Sequence, residues 1–113
     1  MKYSEILRAV RTKIENHQSL FVCCTISEIT NNREHPLRLW VTGLMGTQCH
    51  YYPLDTWLDC MHGIKAPNSL DYEQYGDYQK AEKEFYAKMR ATRVAWVTWM
   101  IEYWEKEEAK HGG

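Results

Sequence analysis

The sequence predicts an all-α fold, four short helices packed around a long C-terminal one, and three observations carry that expectation. Apolar residues recur at helical spacing from the first residues onward, as in Ile6, Leu7, Val10 and Ile14. Pro, Gly and Asn fall between these periodic segments rather than inside them. From Asp77 to about Lys110, roughly 34 residues run without Pro or Gly and are rich in Ala, Glu, Lys, Met and Arg, all strong helix formers. At 113 residues, the chain has the size of one domain and is read as a single helical unit over residues 1–113. A core of that size needs neither disulfide nor metal to fold.

The first helix is expected over about Ser4 to Asn16, with Ser4 as its N-cap and Glu5, Arg8, Arg11, Lys13 and Glu15 around the apolar stripe. Leu20 to Ile29 supports two readings. Val22, Ile26 and Ile29 keep helical spacing, whereas the run Phe21 to Ile26, with β-branched Val22, Thr25 and Ile26, suits a buried strand. Asn31-Asn32 ends the segment in either case. Pro36 opens a third helix with Leu37, Trp40, Val41 and Leu44 on one face and Gly43 and Gly46 at its end. Leu37, Leu39 and Val41 also alternate, so an α+β fold with a hairpin near residues 20–42 is the competing architecture. Pro53 begins a fourth helix with Leu54, Trp57, Leu58 and Met61 on one side, closed by Gly63. Ile64 to Gly76 reads as a loop. The closing helix would run about 50 Å, longer than a body of this size, so part of it should project or pack on something else unless it kinks near Ala91-Thr92. Glu84–Lys88 and Glu102–Lys106 have the favourable spacing and order for pairs along it.

Composition narrows the function classes. Net charge is −1, so no global field attracts nucleic acid or an anionic membrane. The opening residues hold no run suited to a signal peptide or a span, and four cysteines without a leader suggest reduced thiols in the cytoplasm. Cys49-His50 and Cys60-Met61-His62 supply zinc-type ligands, but not in the CxxC-like or HxxxH-like pairs of common structural sites. Buried thiols and surface histidines are the plainer reading, and no cofactor is expected. Carboxylates at Glu82, Glu84, Glu105, Glu107 and Glu108 alternate with lysines as on a solvated face, and no Gly-rich loop could cradle a phosphate. No catalytic set emerges, and the chain is read as a non-enzyme.

Five Trp and eight Tyr against two Phe point instead to a half-buried surface. On a helical wheel, Trp99, Tyr103, Trp96, Met100, Trp104, Val97, Ile101 and Val94 sweep an arc of roughly 220°, where a core-facing helix needs only about 100°. Such a helix either lies at the centre of the domain or holds its own core on one side and a partner on the other. Arg93 falls inside the arc and Arg90 near its edge. A guanidinium there is paired (Asp55 or Asp59 would serve), stacked on an indole, or open to a ligand. The candidate partner-binding set is Arg90, Arg93, Trp96, Trp99, Met100, Tyr103 and Trp104, and self-association through the same arc is a further expectation. The alternative is a nucleotide- or nucleic-acid-binding module using Arg90, Arg93, Lys80, Lys83 and Lys88 with Tyr75, Tyr78 and Tyr86. Interspersed Glu82 and Glu84 weaken that field.

The order Phe21-Val22-Cys23, Leu37 to Trp40-Val41, Leu54-Asp55-Thr56-Trp57-Leu58 and Arg93-Val94-Ala95-Trp96-Val97 with Met100-Ile101 resembles small accessory proteins of tailed bacteriophages and prophages. The likeness spans most of the chain but consists of hydrophobic anchors, and the Tyr-rich stretch before the last helix departs from it. It implies a compact helical protein in the host cytoplasm that binds, and in some cases inhibits, a host protein such as a defence-system component.

Overall fold

The computed structural model describes residues 1–43 and 65–111. It contains α1 (Tyr3–Glu15), α2 (Val22–Thr30), α3 (Pro36–Gly43), a 3-10 turn at Ser69–Asp71 and α4 (Tyr75–Lys110). The fold is all-α, with a long C-terminal helix, and no strand occurs among the described residues. The hairpin alternative is therefore overturned: both of its segments are helices. The fourth helix expected after Pro53 lies outside the described residues, as do Leu44 and Gly46.

α1 runs antiparallel to the C-terminal half of α4. Ile6, Leu7, Val10 and Ile14 are buried against a cluster that includes Val97, Met100 and Ile101. Side-chain bonds follow the pairing along its length. Arg8 meets Glu105 at 2.7 Å, and Arg11 donates to the Thr98 hydroxyl at 3.2 Å. At one end, the Ser4 backbone N–H and hydroxyl both donate to the Glu108 carboxylate. Ser4 is thus not the N-cap that the sequence suggested. Lys2 holds that position, and Ser4 sits a turn-start later, where α1's free N–H groups attract the Glu108 anion. At the other end, His17 turns the chain with a positive φ of 61°, and Arg90 donates to the carbonyls of Ile14 at 2.7 Å and Ser19 at 3.4 Å. The Ile14 carbonyl lies in the last turn of α1, where it has no partner inside the helix and a cation is favoured, and Ser19 belongs to the connection that follows.

α2 and α3 are too short to stand alone and owe their form to packing. Val22, Thr25 and Ile26 of α2 and Leu37 and Val41 of α3 are buried. Asn31 ends α2 in the left-handed conformation, φ 52° and ψ 38°, which Asn tolerates better than most residues. Pro36 opens α3 as expected, and the preceding His35 accepts the Leu37 N–H on Nδ1 at 3.1 Å.

α4 is one continuous helix of 36 residues, about 54 Å long and close to the molecule's 58 Å longest dimension. It starts two residues before the sequence suggested, with Gly76 inside its first turn, and it passes Ala91-Thr92 unbroken. Its buried residues begin only at Met89, so the Tyr75–Lys88 stretch extends past the α1 contact as an arm. No helix among the described residues is long and apolar enough to cross a membrane.

Two substitutions check the α1–α4 pairing. Leu7→Ala should cost about 2–5 kcal/mol in denaturant unfolding, as a fully buried leucine does. Ser4→Ala removes one bond to a carboxylate and should cost about 1–2 kcal/mol.

Candidate interaction surface

The wide apolar arc of α4 is divided by its neighbours. Val97, Met100 and Ile101 face inward. Trp96 and Trp104 are half-buried against the same core, while Trp99 is 50% and Tyr103 38% exposed. α4 packs a core on one side and leaves aromatic rings uncovered on the other.

Those rings belong to a larger assembly drawn from three helices. Tyr103 stacks on Trp40 of α3, with ring centres 5.3 Å apart and planes 25° from parallel. Trp99 continues the stack at 6.0 Å and 26°. Trp104 stands edge-on to Trp40 at 5.0 Å, to Tyr103 at 5.3 Å and to Tyr3 of α1 at 4.7 Å, and Tyr3 in turn meets His35 edge-on. Stacked and edge-on contacts each add about 0.5–1.5 kcal/mol beyond area burial. The ridge is therefore fixed before anything binds. Trp104 Nε1 is buried with no hydrogen-bond partner among the described residues, a cost of about 1–3 kcal/mol set against its three edge-on ring contacts.

The sequence-derived site set splits accordingly. Trp99 and Tyr103 form the open edge over half-buried Trp104, while Trp96 is half-buried against the core. Met100 and Arg93 are corrections, since both are fully buried and belong to the interior. Arg93 is not without a partner, and Asp55 and Asp59 lie outside the described residues. Arg90 is spent on closing the end of α1. Trp40 and Tyr3 were missed because they come from other helices, and a single-helix wheel carries no signal for them.

The basic-tyrosine alternative fares differently. Tyr75 is exposed, and Tyr72, Tyr75 and Tyr78 gather at the start of the arm. Tyr78 donates its hydroxyl to Glu82 at 3.0 Å, and that bond raises the phenol pKa above its usual 10.0. Over residues 65–88, four lysines face five carboxylates, so the arm has no positive field. A groove of about 610 Å³ between residues 65–72 and the arm is lined by Lys65 and Lys88 but also Asp71 and Glu84. Cys49, His50, Cys60 and His62 lie outside the described residues.

No protein family, curated protein or solved structure matches the chain.

Arg90→Ala should destabilise the fold by about 1–3 kcal/mol, because two carbonyls lose a charged donor. Trp99→Ala loses the stack on Tyr103 and the covered half of its ring and should cost about 1–3 kcal/mol. Denaturant melts of the two variants measure both losses.

Proposed function

We propose that this chain is a non-catalytic interaction protein that docks another protein on the Trp99–Tyr103–Trp40 ridge. The carrying observation is that Trp99 and Tyr103 stay 50% and 38% exposed while held in a stack. Rigid aromatic rings lose little rotamer entropy on binding, and Trp and Tyr are enriched among residues that dominate binding energy. Their uncovered area, on the order of 200 Å², would return about 4–5 kcal/mol gross when covered, before the cost of association.

The likeness to phage accessory proteins makes a host protein the favoured occupant and modulation or inhibition of it, for example of a defence component, the favoured outcome. The nucleic-acid reading loses ground because Arg90 and Arg93 are engaged inside the fold and the arm carries no net positive charge.

A pulldown from host lysate tests this reading. Tyr103→Ala and Trp99→Ala should each weaken capture of a specific partner by about thirtyfold, the loss of a typical hot spot. Leu70→Ala, at an exposed position in the 3-10 turn beside the arm, should capture it like wild type. Equal capture by all three would remove the ridge from consideration.

A further inference from the structure

One face of α4 carries a charge pattern that the core does not use and that meets the aromatic ridge only at Trp99. Glu84, Lys88, Ala91, Ala95, Trp99, Glu102 and Lys106 are all exposed. They fall within a stripe about 80° wide, opposite the buried residues Arg93, Val97 and Met100 of the same helix. Their spacing reads the same in both directions from Ala95: four, three and four residues each way. Their charges do not read the same in both directions. The N-terminal half runs acid then base toward Ala95, and the C-terminal half runs acid then base away from it.

We propose that this stripe binds a second copy of the chain, with the two α4 helices antiparallel and the two-fold axis at Ala95. In that register Glu84 faces Lys106 of the other copy, and Lys88 faces Glu102. Symmetry makes each pair twice, giving four attractive contacts. Parallel pairing in register would place acid on acid and base on base, so the charge order selects the antiparallel copy. Ala91 faces Trp99 of the second copy, which gives the half-exposed indole a recess. Ala95 meets its own symmetry mate, where a small side chain permits close approach. None of the four charged residues makes an ion pair within the chain among the described residues. All four are available for pairing between copies.

The stripe is about 33 Å long, and with a contact width of about 10 Å it covers on the order of 300–400 Å² per copy. A stable interface needs about 800 Å² per partner. The dimer is therefore weak and concentration-dependent. The inference stands on the charge order rather than on the docking ridge, although Trp99 borders both.

Sedimentation equilibrium across concentration is the direct test. Wild type should shift reversibly from monomer to dimer. Lys88→Glu turns two attractive pairs repulsive and should raise the dissociation constant about tenfold or more. Glu102→Lys should do the same, and the double variant Lys88→Glu/Glu102→Lys should return to within about threefold of wild type. Mild oxidation of Ala95→Cys should give a covalent dimer faster than wild type, whose native cysteines set the background. Ala81→Cys, off the axis, should not exceed that background. Monomer at all concentrations to roughly 1 mM would overturn the proposal. So would a single reversal without effect, or an Ala95→Cys variant that crosslinks no faster than wild type. Tyr103→Ala, which weakens the docking ridge, should leave the dimer intact, so the two proposals fail separately.

Discussion

An amphipathic helix of 13 residues cannot persist in water by itself, and α1 is such a helix. Its stripe of Ile6, Leu7, Val10 and Ile14 is covered by Val97, Met100, Ile101 and their neighbours, and that mutual covering constrains everything else. It sets which side of α4 is interior, and so where α2 and α3 can add their own buried residues. The polar bonds at the two ends of the pair, Ser4 to Glu108 and Arg90 to Ile14, fix the register in which α1 lies. Exposed pairs such as Arg8–Glu105 add little to stability but agree with that register.

Once α1 occupies one side of α4 and α3 another, the remaining surface of the long helix has two characters. The edge beside α3 carries rings locked against Trp40, suited to a partner that supplies apolar area. The face opposite the buried residues of α4 carries alternating charge around small residues, suited to a partner with complementary order. A helix of moderate amphipathicity could not serve both, because its polar side would lack indole. The excess of tryptophan near the C-terminus makes the combination possible.

Much of this was legible in the residues. The α1 stripe, the helix-opening role of Pro36, the helix end at Asn31 and the unbroken run of α4 all follow from local chemistry, and the structure agrees with each. The breadth of the aromatic arc was visible too, but not which part of it faced inward. Met100 and Trp99 are neighbours of similar apolarity, and only the positions of α1 and α3 separate a buried side chain from an exposed one. Ser4 misled for the same reason: its hydroxyl suits a cap, yet a carboxylate 104 residues away claims it. Arg90 looked like surface chemistry because its acceptors, the carbonyls of Ile14 and Ser19, belong to another part of the chain. Local spacing encodes a helix face, whereas long-range partners decide what that face meets.

The separation between α1 and its cover also bears on how the protein comes to be made. Ser4 and Glu108 are bonded across 104 positions of sequence. At a synthesis rate of about 5–20 residues per second, α1 leaves the ribosome roughly 5–20 s before the segment that shelters it. During that interval its greasy stripe is open to chaperones and to other nascent chains. Burial of the α1 stripe therefore waits for the arrival of α4.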